Sequence, residues 1–288
     1  MSVDLSVTFL GTGSAIPDGE RAQTGLLLES DTDSVNGNDG AGSSDSADGG
    51  NTGTVLVDCG SGVLRNLART DPGYERVSTL LLTHHHLDHV ADFMPLCKAK
   101  WLAGTEELDV VGPVGTETLV ESLFDVHEYM EGRLDVSVRE IGPGDFEVGG
   151  FAVRAIETRH SMDCLAYRFE ALGEDADTND RVTDDGNERS AFTYSGDSEA
   201  FRELCELADG GTLAHDCSFP DSVDVSNHPT PTQLGDALAS ADAEIDRVYL
   251  THLYPHTRGH HEEMAESIAE RYDGDVRFAR DGLTIEIG

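Results

Sequence analysis

The stretch Thr83-His84-His85-His86-Leu87-Asp88-His89 places four histidines and one aspartate within six residues. The apolar segment 79–82 leads into this stretch and predicts the end of a buried strand. The segment 91–102 follows it and predicts an amphipathic helix. Imidazole and carboxylate groups are thus concentrated where a buried strand turns into a helix.

The spacing of these side chains suits metal ions. In an extended loop, residues two apart project to the same side, so His84 and His86 can bind one ion. Asp88 and His89 lie at the turn into the helix and can face a second ion. Imidazole and carboxylate ligands together favour zinc, with iron and manganese as alternatives. The competing interpretation is a histidine-rich surface loop that binds stray metal, although such loops usually lack a buried strand before them and a helix after them.

The length and the cysteine content limit the class of protein. The chain has 288 residues, and we predict one domain over residues 1–288 with two polar, disordered insertions at 31–53 and 173–190. No apolar run reaches the roughly 18 residues of a membrane span, and the first residues lack the basic segment of a signal peptide. The five cysteines have no C-x-x-C spacing, which predicts reduced, mostly buried thiols in a cytoplasmic protein.

The charge of the chain is extreme. Acidic residues outnumber basic ones by 56 to 19, which gives a formal net charge of −37, and only Lys98 and Lys100 are lysines. This composition is typical of a halophilic protein in molar salt, where the Debye length falls to about 3 Å. Phosphate binding favours a basic surface, so the charge gives an RNA substrate no support. Because the charge is strongly screened in molar salt, it does not exclude RNA either.

The remainder of the chain predicts the fold class and three remote polar side chains. Strand-like segments occur in runs with helical segments between them, which predicts an α/β (α+β) fold of two mixed sheets stacked face to face under outer helices. His160, Asp197 and His252 each follow the end of a predicted strand. Any one of them alone is more often a capping or surface residue. Downstream of the histidine-rich stretch, the three together are candidate ligands of the same site.

Several segments resemble the metallo-β-lactamase superfamily and, within it, the ribonuclease Z-like branch. The resemblance covers nearly the whole chain. It rests on F-L-G-T-G-S at 9–14, V-D-C-G at 57–60, T-H-H-H-L-D-H at 83–89, G-P at 112–113 and Y-S-G-D at 194–197. It implies a four-layer αββα metallo-β-lactamase sandwich with metal ions at one edge between the sheets.

The resemblance also implies two zinc ions per chain, with manganese or iron as alternatives. The implied ligands are His84, His86 and His160 for the first ion, Asp88, His89 and His252 for the second, and Asp197 as a bridge. His85 occupies a variable position and receives no role. Asp58 is expected to orient a ligand histidine, because such histidines usually donate their other N–H to a carboxylate.

Two further segments separate this branch from the lactamases of the superfamily. His215-Asp216-Cys217-Ser218 occupies the position of the H-E-A-T motif, and His228-Pro229-Thr230 that of the H-x-T motif. By this resemblance, Asp216 and His228 act as a pair beside the scissile phosphate. The competing interpretations are a structural cap for Asp216 and a surface-loop histidine for His228. Asp88, Asp216 and His228 are the predicted catalytic residues.

The resemblance implies a dinuclear zinc hydrolase of the phosphoric diester class, in which a hydroxide that bridges the metal ions attacks phosphorus. The substrate is an RNA 3′ end, as in tRNA processing, or a smaller phosphodiester. The alternatives are hydrolysis of a lactone, thioester or sulfate ester on the same fold, and a non-catalytic metal-binding protein. A homodimer is expected only by analogy with relatives.

The features with which ribonuclease Z binds tRNA are weak. The loop 17–22 keeps Pro17 and Arg21 of the P-x-K-x-R-N motif, but Gly19 and Ala22 stand at its lysine and asparagine positions. Residues 161–196, only 36 in all, separate two of the implied ligands and include the acidic segment 173–190. That segment is too short and of the wrong charge for a basic tRNA-binding arm. The resemblance therefore supports the catalytic chemistry better than a tRNA substrate.

Overall fold

The computed structural model of the chain describes residues 5–30, 53–172, 191–223 and 225–287. The strands within these ranges are β1 (Leu5–Gly11), β2 (Gly25–Ser30), β3 (Gly53–Val57), β4 (Thr79–Leu81), β5 (Glu107–Gly112), β6 (Asp135–Glu140), β7 (Gly144–Val148), β8 (Phe151–Glu157), β9 (Leu165–Ala171), β10 (Ala191–Tyr194), β11 (Gly211–Asp216), β12 (Ile245–Thr251), β13 (Val276–Phe278) and β14 (Leu283–Ile287). The helices are α1 (Val63–Leu67), α2 (Leu87–Val90), α3 (Phe93–Ala103), α4 (Thr116–Val126), α5 (Arg202–Leu207), α6 (Pro231–Ser240) and α7 (His261–Ala269).

The strands form two seven-stranded sheets, each with an antiparallel half and a parallel half. The first sheet has the order β14-β1-β2-β3-β4-β5-β6, and its strands are antiparallel up to β3 and parallel from β3 to β6. The second has the order β13-β12-β11-β10-β9-β8-β7, antiparallel from β7 to β10 and parallel from β10 to β13. The predicted pair of mixed sheets is confirmed.

Both faces of the central strands are buried, which explains their continuous apolar sequences. In β2, Leu26 and Leu28 belong to the core between the two sheets, whereas Leu27 belongs to the core on the helix side. On the far side of the second sheet, Leu213 of β11 packs in one core with residues of α6 and α7. The layers are therefore helix, sheet, sheet and helix, as predicted. In the part of the chain described above, no helix has the length and apolarity needed to cross a membrane.

The boundary of the first predicted insertion is wrong at one residue. Gly53 pairs with Ser30 as the first residue of β3, while the rest of 31–53 and all of 173–190 lie outside the described residues. A Cβ at Gly53 would lie 2.2 Å from the carbonyl oxygen of Gly149. Glycine is needed here for close packing against the β7–β8 turn, although in sequence it favours a loop.

The helix predicted over 91–102 is confirmed as α3 (Phe93–Ala103), which begins two residues later than predicted. Asp88 and His89 already lie in α2, and a break at Asp92 separates α2 from α3. The Asp92 carboxylate accepts hydrogen bonds from the backbone N–H groups of Gly62 and Leu64 at 2.8 and 3.0 Å. Asp92 thereby satisfies N–H groups at the start of α1, and this long-range contact has no signal in the local apolar pattern.

Candidate metal centre

The candidate ligands converge because they follow strands that end at the same edge of the sandwich. The stretch 83–89 follows β4, Asp197 follows β10 and His252 follows β12. His160 follows β8, which runs in the same direction as β10 because both are antiparallel to β9. Carboxyl ends of such strands meet at one sheet edge, where α/β proteins commonly bind ligands.

The first group of ligand atoms belongs to His84, His86, His160 and Asp197. Nδ1 of His86 lies 3.0 Å from Nε2 of His84 and 3.1 Å from Nε2 of His160. Oδ2 of Asp197 lies 3.8 Å from Nε2 of His84 and 3.9 Å from Nε2 of His160. The structure thus brings three imidazoles and one carboxylate together around one point.

The second group belongs to Asp88, His89, Asp197 and His252. Nε2 of His252 lies 3.2 Å from Oδ2 of Asp88 and 3.2 Å from Oδ2 of Asp197. Nε2 of His89 lies 3.2 Å from Oδ1 of Asp197. Asp197 therefore contributes to both groups, as expected of a bridging ligand.

The residues of both groups fit divalent metal ions. Nε2 of His89 and Oδ1 of Asp197 are fully buried and lie 3.2 Å apart, but neither atom forms a hydrogen bond of good geometry with any described residue, an arrangement that is costly unless a bound ion satisfies them. Ligand nitrogens around tetrahedral zinc are expected about 3.3 Å apart, given Zn–N distances of about 2.0–2.1 Å. The nitrogen separations of 3.0 and 3.1 Å in the first group are close to that value.

Asp58 and Thr83 orient two of the ligand histidines. The Asp58 carboxylate is buried and accepts hydrogen bonds from Nδ1 of His89 and from the N–H and hydroxyl of Thr83, each at 2.8 Å. Because the Thr83 hydroxyl donates to Asp58, its oxygen can accept from Nδ1 of His84 at 3.0 Å. Both histidines then carry their proton on Nδ1 and direct the lone pair of Nε2 into the site. The expected orienting role of Asp58 fits this geometry, whereas Thr83 received no role from the sequence.

Two site residues have a backbone conformation that is uncommon outside glycine. Asp58 has φ 59° and His252 has φ 55°, both in the left-handed region. Such conformations are disfavoured by roughly 1–3 kcal/mol and cluster at functional sites. Their presence directly after β3 and β12 supports a functional role for this edge.

We predict that Asp58→Asn weakens metal binding by about 10–100-fold, the usual effect of losing a carboxylate behind a ligand histidine. The amide removes the negative charge and one of the oxygens that His89 and Thr83 use. Competition against a chelator of known affinity would measure the change. Asp109→Asn is the matched control, because Asp109 is an exposed carboxylate on β5. Equal metal affinities in Asp58→Asn and the wild type would show that Asp58 does not support metal binding.

Asp216 and His228 form a hydrogen-bonded pair beside the second ligand group. Oδ2 of Asp216 lies 2.7 Å from Nδ1 of His228, and Asp216 is fully buried. The Ser218 hydroxyl donates to Oδ1 of Asp216 at 2.6 Å and lies 3.0 Å from Nδ1 of His252. The His228 ring stacks on the His252 ring with centroids 5.3 Å apart. This geometry disfavours both the surface-loop interpretation of His228 and the simple cap interpretation of Asp216.

The buried carboxylates raise the pKa of His89 and His228, whereas burial lowers the pKa of His84 and His160. Burial lowers the pKa of His228, but the Asp216 carboxylate outweighs it and raises this pKa above its usual value. Burial likewise opposes protonation of His89, yet Asp197 and Asp58 raise the pKa of His89 to about 10. A metal ion must displace the proton from a ligand nitrogen, so metal binding at His89 is coupled to proton release.

The remaining histidines and Cys217 lie outside the two ligand groups. Nε2 of His85 lies 2.8 Å from the Thr116 hydroxyl, which directs this ring toward α4. Cys217 is a buried free thiol, as are the other four cysteines, in agreement with the prediction. Four histidines that belong to none of the family motifs make other local contacts: His127 with Tyr129, His256 with Phe219 and Tyr254, His260 with Glu263, and His261 with Phe278.

Comparisons with known proteins bear on this site and fold. Residues 53–253 match the family described as the beta-lactamase superfamily domain. The chain is 30% identical over 310 residues to ribonuclease Z of Methanopyrus kandleri, with 100% of this chain and 99% of the relative covered. It is 26% identical over 327 residues to ribonuclease Z of Haloferax volcanii, with 99% and 96% covered.

Solved structures agree with the fold. The metallo-beta-lactamase fold protein YhfI from Bacillus subtilis superimposes with a TM-score of 0.75 at 22% identity, covering 99% of this chain and 100% of the other. Human tRNase Z, short form, gives a TM-score of 0.69 at 19% identity, with 98% and 99% covered. The fold and the histidine–aspartate clusters define a metal-binding αββα protein. The chain belongs to the beta-lactamase superfamily, as a ribonuclease Z-like member.

Proposed function

We propose that the chain is a metal-dependent phosphodiesterase of ribonuclease Z type. The observation that carries the proposal is the buried Asp216–His228 pair, with its 2.7 Å hydrogen bond, beside the second ligand group. A hydrogen-bond donor beside the metal site can stabilise charge on a phosphate ester and its leaving group, and this pair supplies one. Relatives named ribonuclease Z that span almost the whole chain support the same function.

Zinc is the proposed metal in both ligand groups. The ligand atoms are imidazole nitrogens and carboxylate oxygens, which suit zinc, with manganese and iron as alternatives. Two such ions would neutralise charge on the phosphate and lower the pKa of a water molecule. Asp197 would hold both ions, and Asp88 would hold the second.

His228 would act as the proton donor. Its Nδ1 is hydrogen-bonded to Asp216. The Nε2 atom on the other side of the ring would therefore carry the proton that can reach a phosphoryl oxygen or the leaving oxygen. The Asp216 carboxylate raises the pKa of His228, which favours the protonated ring. The hydrogen bond through Ser218 holds Asp216 in position relative to His252.

A test with small esters separates this function from its alternatives. The metal-loaded chain is expected to hydrolyse bis-p-nitrophenyl phosphate, with little turnover of a lactone, a thioester or a sulfate ester assayed beside it. Turnover of one of these esters with no cleavage of the phosphodiester would contradict the proposal. A chain that binds metal and cleaves none of them would revive the non-catalytic interpretation.

The proposed substrate is an RNA 3′ end or a smaller phosphodiester. The name of the relatives favours RNA. Arg21 donates hydrogen bonds to the Thr12 hydroxyl and to the carbonyl of Ala279. These internal bonds disfavour tRNA binding by the loop 17–22. Arg258 is engaged with Asp18 and Glu20. Cleavage of the small ester with no cut in a precursor tRNA would reject the tRNA-processing role.

The remaining expectations are proposals of the same kind. One domain over residues 1–288 is supported by the core that both sheets share. A cytoplasmic location is supported by the buried free cysteines, and fractionation of the cells would test it. The halophilic character is supported by the net charge of −37, and unfolding measured at low and at molar KCl would test it. Light scattering would test the homodimer.

A further inference from the structure

The two loops that carry the Asp216–His228 side of the site also carry an aromatic pair. Phe219 follows the Asp216–Ser218 segment after β11, and Tyr254 follows His252 after β12. Their rings are stacked, with centroids 4.4 Å apart and an angle of 23° between the planes. Phe219 is buried and Tyr254 is partly exposed. Phe219 therefore covers one face of the Tyr254 ring from the protein side.

The opposite face of Tyr254 has no stacked ring among the described residues. The rings of His228, His252 and His256 meet it at angles of 66°, 76° and 48°, with centroids 5.9, 5.8 and 6.3 Å away. These are T-shaped and tilted contacts, so none of the three histidine rings is stacked on Tyr254. A partly exposed aromatic ring, stacked on one side only, can accept a second flat ring on the other.

The position of Tyr254 is fixed by its backbone. Its N–H donates to the carbonyl of Ser218 at 3.2 Å, and its carbonyl accepts from the N–H and the hydroxyl of Thr257 at 3.0 and 2.9 Å. A one-turn 3₁₀ helix, Pro255–Thr257, follows immediately. These bonds hold the backbone, and stacking on Phe219 restrains the ring before any ligand arrives, which reduces the entropy lost on binding.

The ring stands beside the group that we assign to the scissile phosphate. The Tyr254 and His228 centroids are 5.9 Å apart, and Phe219 and His228 are 6.2 Å apart. In a nucleotide, one sugar separates a phosphate from its base, so a phosphate at His228 leaves the base in reach of Tyr254. Base stacking on aromatic side chains tolerates any base and needs no cation, which suits a chain with a net charge of −37.

We propose that Tyr254, backed by Phe219, is a stacking subsite for the nucleobase next to the scissile phosphate. The inference rests on the proposed phosphodiesterase function and narrows its substrate to nucleotide esters. His256, which is exposed and 5.5 Å from Phe219, borders the subsite. Tyr254 is a specificity residue in this proposal, because it contacts the base and not the reacting atoms.

Three chromogenic esters with the same leaving group test the proposal on the metal-loaded chain. They are thymidine 5′-(p-nitrophenyl phosphate), thymidine 3′-(p-nitrophenyl phosphate) and methyl p-nitrophenyl phosphate, which has no base. The wild type should prefer at least one thymidine ester, and that ester shows on which side of the phosphate the base binds. Tyr254→Ala should lower the ratio of kcat/KM for that ester to kcat/KM for the methyl ester by about 10-fold, whereas Tyr254→Trp should retain it.

Calorimetric titration with thymidine 5′- and 3′-monophosphate and with inorganic phosphate gives a readout that does not depend on turnover. Tyr254→Ala should weaken the binding of a thymidine monophosphate about 10-fold relative to the binding of inorganic phosphate. Tyr129→Ala, which removes an exposed aromatic ring near Lys98, is the matched control and should leave both ratios unchanged. If Tyr254→Ala does not fold, Tyr254→Leu makes the same comparison.

The outcomes are distinct for the two proposals. Ratios in Tyr254→Ala equal to those of the wild type, in turnover and in binding, would overturn the stacking subsite. A wild type that hydrolyses none of the three esters would overturn the phosphodiesterase function, and the titration with the monophosphates would then decide the subsite by itself.

Discussion

Replacing His228 with alanine is expected to lower kcat by about 10²–10⁴ and to leave the metal content at the wild-type value. The reason is that the two neighbouring rings, His252 and His228, have different proposed roles. His252 belongs to the second ligand group. His228 shares only a smaller three-residue cluster with Asp216 and His252, stacks on His252 and forms a hydrogen bond through Nδ1 to Asp216. Alanine removes the proton donor without removing a ligand of the second group. Steady-state hydrolysis of bis-p-nitrophenyl phosphate and elemental analysis of the same preparations measure the two quantities.

His127→Ala is the matched control for this substitution. His127 lies at the end of α4, where its ring contacts Tyr129, and it belongs to neither ligand group. The control should retain both kcat and the metal content. An unchanged rate in His228→Ala would remove His228 from the mechanism, and a parallel loss of metal would make its role structural.

Replacing Asp197 with asparagine is expected to have the largest effect of any single change. Asp197 is the residue shared by both four-residue ligand groups, and its two oxygens lie 3.2 Å from Nε2 of His89 and 3.2 Å from Nε2 of His252. An amide has no negative charge, and its NH₂ group would point at one of the metal positions. We expect loss of bound metal and at least about a 10³-fold fall in hydrolysis, because metal ions contribute several kcal/mol to such reactions.

Metal analysis and the same hydrolysis assay check this prediction, with Asp109→Asn again as the control. Thermal unfolding separates loss of metal from loss of fold. If Asp197→Asn retained the wild-type metal content and rate, the two ligand groups would not share a bridge, and the site would need a different description.

The candidate metal ligands were accessible to sequence reasoning because their signal is chemical and local. His84, His86, Asp88 and His89 lie within one short stretch, and the three remote candidates each follow a predicted strand. Strands that end at one edge bring such residues together, and the resemblance to the metallo-β-lactamase superfamily then implied how they are divided between two ions. The fold class was accessible for a similar reason, since strands buried on both faces have long apolar runs.

Other features depend on contacts between distant segments and had no local signal. Thr83 and Ser218 orient ligand histidines, but a hydroxyl next to a motif has many other uses. The stacking of Phe219 on Tyr254 joins residues from two different loops, and the break at Asp92 arises from its bonds to Gly62 and Leu64. These features follow from the side-chain rotamers and loop positions that only the folded chain defines.

The substrate could be predicted from the sequence only in part. The Asp216–His228 pair supports the proposed phosphate chemistry, whereas the net charge of −37 and the internal hydrogen bonds of Arg21 do not favour binding of a long polyanion. An aromatic subsite would supply affinity for a nucleotide by a contact that salt does not screen.

The central claim is that the stretch 83–89 and the three remote ligands hold two metal ions. Inductively coupled plasma mass spectrometry on the purified wild-type chain tests it most directly. We predict two divalent ions per chain, with zinc the proposed element, because two four-residue candidate groups share Asp197. A content of one ion per chain or less after reconstitution with zinc would contradict the account.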